Sequence, residues 1–220
     1  MGLSLVRAEC RNPWGIPMIG RYGASFDGTA VIEIAEASGI TTAHDGPRDP
    51  VTADTYGTGM LVVDAVRRGA RHVVVAAGGT TTTDGGRGAI AAIHDGGVTP
   101  KSVTVLTDAT TRFIDAAKVF GPQKGADPAI VELLTQRLNN QAQRYPHEPR
   151  TVAGGGAAGG FAGGMWSVFD AQIRPGADFV LDSCGFDEAL REASAVVVDE
   201  GRLDSQTKAG KVISAILRRA

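Results

Sequence analysis

Residues 78–86 read Gly-Gly-Thr-Thr-Thr-Thr-Asp-Gly-Gly, between an apolar run at 73–77 and a small-residue segment at 88–93. The apolar run, Val-Val-Val-Ala-Ala, has the makeup of a buried strand, and the segment after it suits the start of a helix. A chain with this pattern has to turn from strand to helix through glycines and hydroxyls. Glycine lets backbone come close to a ligand, and unpaired N–H groups at a helix start attract anions. Gly78, Gly79, Thr80, Thr81, Thr82, Thr83, Gly85 and Gly86 are therefore candidate phosphate or substrate contacts. Asp84 is the exception, since a carboxylate repels phosphate. It can hold a cation, accept a proton from a substrate hydroxyl, or cap the following helix.

Other segments place this loop in an alternating pattern. Residues 29–34 read as a strand and 35–38 as a short helix stopped by Gly39. Turn-rich residues 41–54 lead to a helix over 60–68, then the strand at 73–77. Another strand is expected at 103–107, a loop at 119–125, and a helix from Pro128 to Asn140 with Asp127 at its N-cap. Residues 187–192 read as helix, 195–198 as strand and 206–219 as helix. Strands alternating with helices predict an α/β fold with a mostly parallel sheet and flanking helices.

Composition excludes several function classes. In 220 residues the formal charge is −2 with no basic stripe, so no nucleic-acid partner is expected. No apolar run approaches the roughly 20 residues of a membrane span. The N-terminus lacks a signal-peptide layout and a myristoylation signal. Cys10 and Cys184 are isolated thiols suited to a reducing cytosol, and a cytoplasmic location is expected. The four histidines fall in no metal-ligand spacing. Gly154, Gly156 and Gly159 satisfy G-x-G-x-x-G, but no convincing strand precedes them, so they read as tight packing or bare-backbone approach to a substrate. Gly210-Lys211 lacks the spacing and the following Ser or Thr of a P-loop. Met165, Trp166, Val168 and Phe169 read as core.

A second constellation lies at residues 197–207, Val-Val-Asp-Glu-Gly-Arg-Leu-Asp-Ser-Gln-Thr, followed by Gly210-Lys211. Carboxylates after a strand can hold Mg²⁺, and Arg or Lys can clamp phosphate or a carboxylate. The plain alternative is a charged loop whose Asp204 or Ser205 caps the last helix.

Together these motifs resemble the type I glycerate kinases. Residues 78–86 are similar to that family's Gly-Gly-Ser-Ala-Thr-Asn-Asp-Gly-Gly, with Thr83 in place of Asn. Residues 119–126 resemble its Gly-Pro-Gln-Lys-Gly-Ala segment, and 200–211 its Glu-Gly-Arg-Ile-Asp-x-Gln-Thr…Gly-Lys signature. The resemblance runs from about Asn12 to Lys211. It implies ATP-dependent phosphorylation of D-glycerate with Mg²⁺, between two α/β domains. It implies that residues 12–190 form mainly the inserted domain and 191–220 begin the return to the second. It implies catalytic roles among Asp84, Asp204 and Lys211, substrate or phosphate contacts from Lys124 and Arg202, and metal ligation by Asp199 and Glu200. The family's Asp-Ser-Phe-Lys type loop and its later strands have no counterpart here. A homo-oligomer or a completing chain is thus one expectation, and an inactive remnant that binds only an organic acid or a partner is the alternative.

Overall fold

The computed structural model describes residues 2–43, 46, 48–199 and 212–220. The chain opens on a hairpin, β1 (Ser4–Arg11) and β2 (Pro17–Ala24), and continues through β3 (Thr29–Glu33), α1 (Ile34–Ser38), α2 (Tyr56–Arg67) and β4 (His72–Ala76). Next come α3 (Arg87–Asp95), β5 (Ser102–Leu106), α4 (Ala116–Phe120), α5 (Pro128–Ala142), α6 (Phe161–Phe169) and β6 (Gln172–Arg174). The helices α7 (Gly176–Ser183), α8 (Phe186–Glu192) and α9 (Val212–Arg219) follow.

The six strands lie in chain order. β3, β4, β5 and β6 pair in parallel, while β1–β2 and β2–β3 are antiparallel. The expected α/β fold is present, with a mixed sheet. Right-handed crossovers between adjacent parallel strands put the connecting helices on one face. Alternation selects what faces them: Ala30, Ile32, Val73, Val75, Val103 and Val105 are buried and share one core with Leu61, Val62, Ile93, Phe161 and Met165. Met165 is thus a core residue, as its side chain suggested, and Val168 and Phe169 pack against the same core partly buried.

The hairpin is the main element that sequence reading missed. Its signal is a period of two. Ala8 and Cys10 of β1 and Tyr22 of β2 face the core under α2, while Arg7, Glu9 and Arg21 point away. Leu5 and Ile19 are exposed on that outer side.

Two further expectations are corrected. Residues 195–198 form no strand, and Val197 is 94% exposed. Three consecutive valines favour extended backbone, but a strand needs a neighbour to fill its hydrogen bonds, and the described sheet ends at β6. The expected loop at 119–125 instead holds the end of α4 and a 3₁₀ turn, Pro122–Lys124. Of the last helix, the described part is Val212–Arg219. Its Arg218 and Arg219 reach Asp178 of α7 at 3.1 and 3.0 Å.

Gly59 shows how closely α2 and α3 approach. A Cβ there would lie 2.6 Å from the carbonyl oxygen of Ala89 and 2.7 Å from its Cα. Gly→Ala at an open helical position gains about 1 kcal/mol. Gly59→Ala is expected to reverse that sign and destabilise by about 1–3 kcal/mol, measured by urea unfolding. A gain would show that the two helices separate easily.

Candidate active-site crevice

The parallel strands all present their carboxyl ends at one edge, where ligands bind in open α/β sheets. Three loops leave from there: residues 77–86 after β4, the segment from Thr107 after β5, and Pro175 after β6. A cavity of about 290 Å³ opens between them, lined by Gly78, Gly79, Thr80, Thr107, Gln123 and Lys124, with Ile40, Phe120 and four alanines around them.

The expected anion cradle is only partly realised. Gly78, Gly79 and Thr80 face the cavity, but Thr81, Thr82 and Thr83 are buried beneath it. Thr81 N–H donates to the Ser38 carbonyl, and among the described residues the hydroxyls of Thr82 and Thr83 have no hydrogen-bond partner. The start of α3 is not open to a ligand. Its N–H groups are taken by the chain's own carboxylate: Asp84 Oδ1 accepts from Gly86 N–H at 3.1 Å and Oδ2 from Gly88 N–H at 3.0 Å.

Asp84 is 1% exposed. Its Oδ2 also accepts from Thr55 N–H at 2.9 Å and Thr55 Oγ1 at 2.8 Å, and Thr55 Oγ1 in turn accepts from Ala89 N–H. Thr55 is the residue before α2, so the starts of α2 and α3 converge on one carboxylate. Helix N-termini favour negative charge, which suits a buried anion here. Gly88 makes the approach possible, since a Cβ there would lie 2.6 Å from Tyr56 N. Of the uses considered for Asp84, capping is the one that this geometry displays. Thr55 carried no local signal, because it meets Asp84 across 29 residues of sequence.

Lys124 is only 6% exposed. The α4–α5 layer, packed around Phe113, Leu134 and Leu138, sets the turn that carries it. Its Nζ donates to the Thr82 carbonyl and, at 3.4 Å, to Thr80 Oγ1. Burial pushes its ammonium down to about 8, against the opposing pull of the Asp84 charge.

The glycine-rich stretch after residue 153 holds the loop from the other side. Gly159 has φ +67°, and a Cβ there would lie 2.0 Å from the Thr82 carbonyl oxygen. Its own carbonyl accepts from Gly85 N–H at 3.0 Å. No strand precedes this stretch, so it packs one loop on another and builds no dinucleotide fold. Tyr145 adds a donor from its hydroxyl to the Gly85 carbonyl at 2.9 Å.

Next to this cavity is a second of about 270 Å³, which shares Thr107 and Ala109 with it and adds Asp108, Arg174 and Arg218. Asp108 and Asp199 both line a third, of about 460 Å³. Among the described residues no group of three or more His, Cys, Asp or Glu is arranged to hold a metal. Glu200, Arg202, Asp204 and Lys211 lie outside the described residues.

Two outcomes follow from this geometry. Asp84→Asn turns an amide NH₂ toward N–H donors, and Thr55→Val removes two partners; each is expected to cost about 1–3 kcal/mol. Because they share one network, the double variant should cost clearly less than the sum in a denaturation cycle, and strict additivity would show the groups to be independent. For Lys124, the folded chain binds its proton less tightly than the unfolded chain, so stability should rise with pH between about 8 and 10.5. Lys124→Met should lack that rise, so that its stability difference from wild type changes across this window; a constant difference would show that Lys124 titrates normally.

Comparison with known proteins agrees with the sheet and its loops. The family model described as "Glycerate kinase family" matches residues 1–99 and 97–220. A glycerate kinase of Halalkalibacterium halodurans is 32% identical, covering 96% of this chain and 66% of that protein. A glycerate 2-kinase of Escherichia coli is 30% identical, covering 91% and 62%. A crystal structure of a Salmonella typhimurium LT2 protein assigned as glycerate kinase 2 superposes with a TM-score of 0.85 at 31% identity, covering 99% of this chain and 68% of that one. The chain thus spans somewhat under two thirds of the length of the curated relatives it matches. On these matches, and on a fold that agrees with them, the chain belongs to the glycerate kinase family.

Proposed function

We propose that this chain serves ATP-dependent phosphorylation of D-glycerate at the crevice beyond the carboxyl ends of β4, β5 and β6. The observation that carries this reading is the cavity itself, where a glycine loop and a buried lysine line a crevice in a chain of the glycerate kinase family. In such a reaction a substrate hydroxyl oxygen bonds to the terminal phosphorus, the bond from phosphorus to the ADP oxygen breaks, and the hydroxyl proton passes to a base. Catalysis of this type is mostly positioning and charge neutralisation, with little covalent work for the protein.

Each residue has a place in that scheme. Gly78, Gly79, Thr80 and Lys124 contact the bound anionic groups. Thr81, Thr82, Thr83, Gly85 and Gly86 shape the loop, and Asp84 positions it through the α3 start. Arg202 and Lys211 neutralise charge, and Asp204 orients or deprotonates the attacking hydroxyl. Mg²⁺ commonly binds through one or two carboxylates plus phosphate oxygens. Asp108 and Asp199, which share a cavity, fit that small donor set, with Glu200 next to Asp199 in sequence. Mg²⁺ with ATP would supply a charge-neutralised phosphoryl group there. The two isolated thiols support a cytoplasmic setting, and among the described residues no helix is long and apolar enough to cross a membrane.

The second reading is a chain that binds an acid or a partner without turnover. The exposed Leu3 and Leu5, which line a cleft with Gly23 and Val31 on the outer side of the sheet, favour it, since they offer a completing chain an apolar seat.

ADP release from Mg-ATP, with and without D-glycerate, tests both. Glycerate-dependent release is expected, and its absence from a cooperatively folded sample would sink the kinase reading. A Cβ at Gly78 would meet nothing within 4 Å. Gly78→Leu should therefore stay within about 0.5 kcal/mol of wild-type stability, as surface changes do, while it fills the crevice and lowers turnover at least about tenfold, or ~1.4 kcal/mol of barrier.

A further inference from the structure

The kinase reading leaves open which of its two ligands sits beside Lys124. Size narrows the choice. About 290 Å³ lies at the bottom of the roughly 300–1,000 Å³ range of small-molecule sites. That is room for a three- or four-carbon acid and too little for a whole nucleoside triphosphate, and the neighbouring cavity, at about 270 Å³, is no larger. Lining narrows it again. Ala77, Ala109, Ala157 and Phe120 give the cavity apolar lining beside Lys124, which suits a short carbon skeleton.

Charge is the third constraint. Lys124 is the one Lys or Arg among the described lining residues, and the buried Asp84 charge acts on it. A lysine and an aspartate together are neutral, so a monoanion added here leaves one net charge, whereas a triphosphate would leave several in a poorly solvated place. Hydrogen bonding agrees. An ammonium has three donors, and Lys124 Nζ spends them on one carbonyl and one long contact to Thr80 Oγ1. Thr80 Oγ1 accepts in that contact, so its own proton is free to donate into the cavity. The neighbouring cavity, which shares the Thr107 and Ala109 wall, carries Arg174 and Arg218 together with Asp108 and Asp178, and Arg218 is paired with Asp178 at 3.1 Å.

We propose that the cavity beside Lys124 seats the organic acid, a small hydroxy-monocarboxylate, with its carboxylate on Lys124 Nζ and Thr80 Oγ1. The nucleotide lies outside this cavity. This assignment rests on the kinase reading for its second ligand, but it is tested by binding alone. The acid's hydroxyl end points toward the shared wall, and Ala157 and Phe120 limit its length.

Calorimetry on the full chain without nucleotide tests this, with D-glycerate, glycerol and Mg-ATP as separate probes. D-Glycerate should bind, and glycerol, which has the same three carbons and no carboxylate, should bind at least tenfold more weakly. Lys124→Met should weaken D-glycerate at least tenfold and leave Mg-ATP within about twofold. If Lys124→Met fails to fold, Thr80→Val should weaken D-glycerate selectively. Equal binding of D-glycerate by wild type and variant, or loss of Mg-ATP alone, would overturn the assignment. Glycerate-dependent ADP release is scored separately. Turnover that persists with Lys124→Met at unchanged D-glycerate affinity sinks only the cavity assignment. Selective acid binding without turnover in wild type sinks only the kinase reading.

Discussion

The crevice depends on one buried carboxylate. Asp84 sits where α2 and α3 begin, and four hydrogen bonds from Thr55, Gly86 and Gly88 hold it there. A buried anion left unpaired would be costly. Here two helix starts and a hydroxyl compensate it, so the charge acts as a rivet between segments far apart in sequence. The rivet sets where the glycine–threonine loop leaves β4, and so which of its groups face the crevice. It also explains a feature of that loop: threonines 81–83 are turned inward under the cavity floor, because the backbone must reach Asp84 and the start of α3 within a few residues.

Charge pairing then works at longer range. Asp84 spends its oxygens on neutral donors, yet its field still supports a proton on Lys124, whose burial works the other way. The balance leaves a lysine poised near pH 8, sensitive to any anion that enters. A surface lysine would neither be tuned in this way nor have its position fixed. The α4–α5 layer supplies both, through the 3₁₀ turn at Pro122–Lys124 and the cluster around Phe113 and Leu138.

What could be read from the sequence follows the range of the forces involved. The strands at β3, β4 and β5 and the Asp127–Pro128 start of α5 are set by local apolar runs and a capping pair; Asp127 accepts from Ile130 N–H as that pair requires. The hairpin's signal is the alternation of Ala8 and Cys10 with Arg7, Glu9 and Arg11, a weak one because the inward residues are small and form no apolar run. Residues 195–198 failed in the opposite sense: valine propensity was strong and the strand partner was missing. The site divided in the same way. The glycine loop and Lys124 could be found from composition and family resemblance. Thr55 and Tyr145 could not, because their roles exist only once distant segments pack; for Gly159 the tight packing was legible and its partner, the Thr82 carbonyl, was not.

The same logic bears on why this stretch is so rich in glycine. The loop after β4 is pressed from behind by residues 154–160, where Gly159 stands within 2.0 Å of the Thr82 carbonyl oxygen if a Cβ is added, and Gly160 within 3.0 Å of Gly85 Cα. Backbone packed on backbone leaves few side chains to move, so the floor of the crevice is stiff. Ala158, at φ 51°, continues the stretch in a conformation that alanine rarely adopts, and it lines the cavity. Strain of this kind persists only where the surroundings over-determine it. A stiff floor with one cation held in place is suited to hold a small acid in a single orientation, and orientation is most of what a phosphoryl-transfer site has to provide.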